Sequence, residues 1–315
     1  MKQIHNIKKV AVTHYELLDS GSFEKLERMG SVVMRRPCPQ AVWPRRLGES
    51  EWKRWGLYFE RNSSGQGTWH EKKKGLLNES VLLAWGGGLE SIARPTSFGH
   101  LGFFAEQKDN WNWILENYSP LLEKSAGKSE PFKMLNLFAY TGIASVYGAA
   151  AGMDVTHVDA SKASVEWGKE HVAHNKNRLK GSVRWITEDV CQFVKKEIRR
   201  GVRYDAIMLD PPSFGRGERS QVWKIEDHLI GLLEQLREVW QPGKNGFIQL
   251  SSHSQGYTPI ALSQLLSRVF KEQASKPNAH VISNEMAIQG DAGLKLPAGA
   301  ESWLCVGMNR ALSHV

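Results

Sequence analysis

From residue 132 onward the apolar and polar positions fall into a regular alternation of two kinds of segment. Short, nearly continuous apolar runs of strand length take turns with longer stretches whose apolar residues recur at helical spacing. The first run, Met134-Leu135-Asn136-Leu137-Phe138, passes through a Thr-Gly turn into an Ala-rich helical stretch closed by Gly152. The second, Val155-Thr156-His157-Val158, ends on Asp159 and leads to a helical segment through Val165 and Trp167 to Asn175. A third, at 183–187, delivers Glu188 and Asp189, and a fourth, at 204–209, ends on Asp210. Helical stretches at 222–240 and 259–270 flank a fifth run at 246–252. Two late strands, 280–282 and 303–308, close the pattern, with Pro297 and Gly299 in the turn region between them. Repeated βα units require a parallel sheet covered by helices on both faces. The expected fold is α/β, a doubly wound, mostly parallel, seven-stranded sheet.

Residues 1–93 lack that rhythm. Runs at 55–60 and 80–85 alternate with turn clusters such as Asn62-Ser63-Ser64-Gly65-Gln66-Gly67 and Gly86-Gly87-Gly88, which predicts a small β-rich domain. Residues 94–130 form a bridge, in which Gly99 and Gly102 flank Leu101 ahead of Phe103 and Phe104, and a helical run covers 108–115. The spacing suggests an aperture or lid. The sheet domain then occupies 131–315.

Composition changes this picture in two ways. The chain of 315 residues, 41% hydrophobic and 23% charged, contains no apolar run of the roughly 20 residues that span a bilayer, and no signal-peptide core follows its basic start. Its three cysteines, Cys38, Cys191 and Cys305, have neither metal nor disulfide spacing, which suits a reducing cytoplasm and no bound metal. The net charge of +8 invites a polyanion. Arg35-Arg36, Arg45-Arg46, Lys53-Arg54 and Lys72-Lys73-Lys74 are interleaved with Trp43, Trp52, Trp55, Tyr58, Phe59 and Trp69. Such a set either tracks phosphates and stacks bases, or forms a solvated basic face over a small core that buries the rings.

Ligands of open parallel sheets bind outside the carboxyl ends of the strands. There, a dinucleotide would need several glycines for its pyrophosphate, and only Gly142 is present in the first turn. A nucleoside ligand without phosphates fits better, and S-adenosyl-L-methionine is the common one. Gly142 would admit its methionine part, Asp159 hold the ribose hydroxyls, and Asp189 accept from the adenine amine. Alternatively, Asp159 merely caps the helix that follows Ser161. The fourth strand end reads Asp210-Pro211-Pro212-Ser213-Phe214. Two prolines stiffen the loop and leave carbonyls unpaired, Asp210 adds an acceptor, and Phe214 offers a stacking face. That suits methyl transfer to a nucleobase, which depends mainly on alignment. The bland alternative is a rigid turn with Phe214 packed inward.

The segments 135–142, 158–162 and 209–214 resemble the large-subunit ribosomal RNA methyltransferases, class I S-adenosylmethionine enzymes that modify cytosine C5 or guanine. The segment Gly102-Phe103-Phe104-Ala105-Glu106-Gln107 is similar to the one that precedes the catalytic domain in that family and helps enclose the cofactor. The resemblance implies cofactor roles for Phe104, Gln107, Asn136, Phe138, Tyr140, Thr141, Gly142, Asp159, Ala160, Ser161 and Asp189. It implies a substrate role for Asp210, Pro211, Pro212, Ser213 and Phe214, and RNA as partner. Two departures matter. Residues 1–93 do not match the compact RNA-binding domain of many members. The cysteine that C5 enzymes carry after the fifth strand is also absent, that place reading Leu250-Ser251-Ser252-His253-Ser254-Gln255. A base nitrogen is the expected methyl acceptor, ahead of an oxygen. The other readings are a methyltransferase for a small molecule or protein, and a non-catalytic RNA-binding or ribosome-assembly factor.

Overall fold

A computed structural model of the chain describes residues 12–62, 67–125, 130–216 and 222–308. The chain divides into two units, Met1–Lys108 with Ala287–Ala298, and Asp109–Met286 with Gly299–Val315. The boundary falls at residue 108, so the bridging segment is divided: 94–108, with Phe104 and Gln107, belongs to the first unit and the rest to the second.

In the first unit, β1 (Tyr15–Gly21), β2 (Glu24–Met29), β3 (Val32–Pro37), β4 (Leu57–Arg61) and β5 (Gly67–Glu71) form one sheet in that order. Only the β3–β4 pair is parallel, and the short helix α1 (Glu49–Trp52) lies in that connection. The strands β6 (Val81–Gly86) and β7 (Leu89–Ala93) make a separate hairpin. Alternation along the strands buries Leu17, Leu26, Met34, Leu57 and Phe59.

The basic–aromatic set is mostly structural. Trp52 is fully buried and its indole donates to Asp19 at 2.9 Å, while Trp43 and Trp69 donate to the carbonyls of Ser20 and Thr96. Arg35 makes a bidentate pair with Glu24, which also binds Arg45. Arg36 makes a bidentate pair with the fully buried Glu27, which also accepts from Tyr15 and faces Lys25 at 3.1 Å. Arg46 is anchored through its backbone N–H to Asp19 and through its guanidinium to the Leu18 carbonyl. Of the two readings of this set, a basic face over a small core is the one that Arg35, Arg36 and Arg45 follow. Acids on the neighbouring strand and loops already claim the guanidinium groups of Arg35, Arg36 and Arg45, whereas that of exposed Arg46 meets a backbone carbonyl.

The second unit opens with α2 (Lys108–Ser125), β8 (Lys133–Leu137), α3 (Ile143–Ala151), β9 (Asp154–Asp159), α4 (Lys162–Asn175), β10 (Val183–Thr187) and α5 (Val190–Arg199). There follow β11 (Ala206–Leu209), the hairpin β12 (Phe214–Arg216) and β13 (Val222–Lys224), α6 (Ile225–Val239) and β14 (Gly246–Ser252). It ends with α7 (Pro259–Val269), α8 (Lys271–Ala274), β15 (Ala279–Gln289) and β16 (Lys295–Val306). The seven-stranded sheet has the order β10-β9-β8-β11-β14-β16-β15, parallel from β10 to β14, with β16 antiparallel to β14. The doubly wound sheet is as expected. Leu135, Leu137, Ile207, Leu209, Ile248 and Leu250 pack on one face, and Met134, Ala206, Met208 and Phe247 on the other. Burial on both faces is why these strands read as continuous apolar runs.

Two expectations fail. Residues 222–224 are a strand, not the first turn of a helix, because Trp223 points inward between exposed Val222 and Lys224. Pro297 and Gly299 lie inside β16 and not in a turn; the turn is at Asp291–Gly293. Pairing of β16 with β14 stops at Ala300, so Pro297 meets no β14 ladder that needs its missing N–H.

Candidate active site

The winding direction reverses between β8 and β11, and the polar residues gather at the carboxyl ends there. After β8 the chain makes an unusual turn. Phe138 and Tyr140 take left-handed φ of 52° and 49°, followed by Gly142 at 74°. Left-handed conformations at bulky residues cost on the order of 1–3 kcal/mol each and persist where the surroundings enforce them. Three contacts do so. Ala139 N–H donates to the Val158 carbonyl at 3.1 Å, Tyr140 N–H to Oδ2 of Asp159 at 2.8 Å, and Gly142 N–H back to Ala139 at 2.9 Å. A Cβ on Gly142 would sit 3.0 Å from the His157 ring, so the position requires glycine twice over. Gly142 then caps α3 with no side-chain bond, leaving its first N–H groups for a ligand.

Beneath the turn lies a buried polar chain. Asn136 donates to the Ser145 hydroxyl at 2.9 Å, and that hydroxyl meets Nδ1 of His157 at 3.1 Å. Burial holds His157 far down, at about 3, so the ring is neutral. His171, also buried, donates from Nδ1 to the Thr141 carbonyl at 2.8 Å. The Asn136 side chain and the Thr141 carbonyl thus tie the turn to the residues beneath it.

Asp159 neither simply caps a helix nor stands free. Its Oδ1 accepts from Ser161 N–H at 2.8 Å while Ser161 itself caps α4 through Ser164. Burial raises its carboxyl from the ordinary range, and the two backbone donors partly offset this. Each oxygen keeps a second lone pair. Ala160 sits half-buried beside it, between Asp159 and the Ser161 cap. Asp189 caps α5, its Oδ1 accepting from Gln192 N–H at 2.9 Å, which leaves Oδ2 as the outward acceptor.

After β11 come Asp210 and the two prolines. The expected free carbonyl is already used at Pro212, which accepts the Trp223 indole N–H at 2.6 Å. Ser213 accepts from Ile225 N–H at 3.1 Å. Trp223 also packs on Phe138 with centroids 4.8 Å apart, tying the loop after β11 to the turn after β8. Phe214 is 50% exposed, so the inward-packed alternative fails. Just after neighbouring β14, His253 brings Nδ1 to 3.3 Å from Oδ1 of Asp210. Asn136 to Gly142, Asp159 to Ser161, Asp189 and Asp210 to Phe214 are thus all on strand ends of one sheet. Phe104 and Gln107 are in the first unit, where Phe104 packs against His100 and Gln107 is buried.

The comparisons with known proteins bear on what this constellation holds. No family model matches the chain. A solved S-adenosylmethionine-dependent methyltransferase from Agrobacterium tumefaciens is 33% identical, covers 93% of this chain and 90% of its own, and superposes with a TM-score of 0.80. The chain belongs to the S-adenosylmethionine-dependent methyltransferases. Curated relatives called ribosomal RNA large subunit methyltransferase K/L match with similar identity over part of their length. The one from Alteromonas mediterranea is 33% identical over 236 residues, 73% of this chain and 29% of the relative. The one from Pseudoalteromonas atlantica is 34% identical over 137 residues, 41% and 19% respectively. The chain therefore spans less than a third of these curated relatives.

The strand ends of this methyltransferase fit its cofactor. The first turn of α3 has no side-chain cap, and Asp159, with one N–H on each oxygen, would have lone pairs left for hydroxyl donors. Asp189 has one oxygen left for an amine. Three contributors were not read from the sequence: the left-handed Phe138 and Tyr140, the bracing Trp223, and the pairing of His253 with Asp210. The first has no residue-type signal, since neither residue is glycine. The others depend on contacts between segments far apart in the chain.

Proposed function

We propose that this methyltransferase modifies ribosomal RNA at a nitrogen of a base. The loop after β11 carries the reading, with the Asp210 carboxylate beside half-exposed Phe214 on a segment stiffened by Pro211 and Pro212. An unstacked base rests on an aromatic face while acceptors hold its N–H groups. The names of the curated relatives support ribosomal RNA as the substrate. Nitrogen rather than carbon is supported by where the thiols lie. Attack at C5 of a pyrimidine needs a thiolate adduct. Cys38 is buried in the first unit, Cys305 is buried within β16, and burial pushes the Cys191 thiol up to about 11. Mass spectrometry of ribosomal RNA nucleosides from cells with and without the gene tests the proposal. One nitrogen-methylated nucleoside should disappear with the gene. Loss of 5-methylcytosine instead, or an unchanged profile, counts against it.

A further inference from the structure

Methylating a nitrogen that carries hydrogen yields a cation that must lose a proton. The groups so far placed around the base accept hydrogen bonds and do not take that proton away. Strands β11 and β14 are parallel neighbours, with Leu209 opposite Leu250, so Asp210 and His253 leave the sheet side by side. Nδ1 of His253 lies 3.3 Å from Oδ1 of Asp210, with the two side chains 32% and 25% exposed. Behind the ring, buried Ser252 accepts from Ser254 N–H at 3.1 Å, which bends the chain after β14. From β16 the approach is backbone, Gly299, where a Cβ would come within 3.2 Å of His253 Cδ2. The imidazole therefore stands with one nitrogen within ion-pair distance of a carboxylate and is partly exposed, although Oδ1 of Asp210 is buried and accepts no hydrogen bond in this geometry.

We infer that His253 is the general base of this enzyme, held through Nδ1–H by the Asp210 carboxylate, and that the methylated atom is a base nitrogen bearing hydrogen. The inference rests on the base-nitrogen reading above and narrows it to an exocyclic amine or a ring N–H. S-adenosylmethionine, when bound, supplies a methyl group on a sulfonium and is left as the neutral thioether. The substrate nitrogen gives its lone pair to the new N–C bond, and the pair of the broken S–C bond stays on sulfur. The proton goes from the nitrogen to Nε2 of His253, and the N–H pair stays on nitrogen. The Asp210 carboxylate stabilises the resulting imidazolium, which then returns its proton to water.

The tests separate this assignment from the base-nitrogen reading. In protein without cofactor, nitrogen NMR of ring-labelled histidine should show His253 with its proton on Nδ1, and Asp210→Asn should abolish that preference. His253→Gln should lower kcat about a hundredfold or more while binding of S-adenosylhomocysteine, by calorimetry, stays within about twofold. Imidazole in the buffer should restore part of the turnover of His253→Ala. A proton on Nε2 in the unaltered protein, or a His253→Gln enzyme within about threefold of full turnover, overturns the assignment. So does a product methylated on a ring nitrogen that carries no hydrogen. A methyl group on carbon would instead overturn the base-nitrogen reading itself.

Discussion

Asp159 ties two loops together and is the residue proposed to meet the cofactor's hydroxyl groups. Its two oxygens receive the N–H groups of Tyr140 and Ser161 and still have lone pairs for hydroxyl donors. Asp159→Ala should weaken S-adenosylhomocysteine binding by about 1–3 kcal/mol in calorimetry, and should also lower stability because the Tyr140 N–H loses its acceptor. Buried titratable groups set the response to acid. Burial holds His157 at about 3, and burial with nearby Arg36, Arg61 and Lys25 holds His100 at about 4, against an ordinary 6.5. Unfolded, both take up protons below 6.5, whereas the folded chain does not, so stability falls as pH drops from 6.5 toward 4 and 3. Burial by itself would raise Glu27, but Arg36, Lys25 and Tyr15 hold it at about 2, below an ordinary 4.5. Its contribution is lost from 4.5 downward, in the same direction. Urea midpoints measured from pH 7 to pH 4 should decline steadily, and His157→Asn should flatten the upper part. A midpoint level across that range would contradict this account.

Among the elements, the strand–turn–helix alternation was legible because both faces of the parallel strands are covered and their residues are uniformly apolar. The strand ends were legible for the same reason, as the point where apolar runs meet Asp159, Asp189 and Asp210. Elements of mixed character were not. β13 has three residues, too few to reveal a period of two, and β15, read as a strand only at 280–282, runs on to Gln289 through polar Ser283, Asn284 and Glu285. The backbone strain after β8 is imposed from neighbouring strands and leaves no mark in composition. Trp223 joins the two loops that matter, so its loss should act on turnover more than on cofactor binding. Trp223→Phe keeps the ring against Phe138 but removes the N–H bonded to Pro212, and should lower kcat about five- to tenfold, the worth of about 1 kcal/mol. Unchanged kcat with weakened cofactor binding would show that the bond serves the other loop. Replacing Cys38, Cys191 and Cys305 by alanine or serine should leave turnover largely intact in a folded chain, measured by methyl incorporation.

For the molecule as a whole, the net charge of +8 must be sorted by what each cation already touches. Arg35, Arg36 and Arg45 answer acids of their own unit, so reversing them should unfold that unit and say nothing about RNA. Lys72, Lys73 and Lys74 are exposed, and Lys72 lies 4.5 Å over the Trp55 ring. Reversing these three should flatten the dependence of RNA affinity on salt, each lost phosphate contact removing about 0.7 from the slope on single strands. A slope unchanged in a folded triple variant would rule this surface out as the docking site. The division of the chain has a further consequence for heredity and cloning. Residues 287–298 belong to the first unit, where Ile288 and Leu296 pack with Leu17, Cys38 and Ala41, although the stretches on both sides of them belong to the second. Neither unit is encoded by one uninterrupted stretch of gene. A recombination that exchanges the N-terminal segment alone leaves an apolar tip with its old complement gone. A fragment beginning at residue 109 should aggregate unless that tip is trimmed to a polar turn. New N-terminal units can be acquired only in step with a matching insert far downstream.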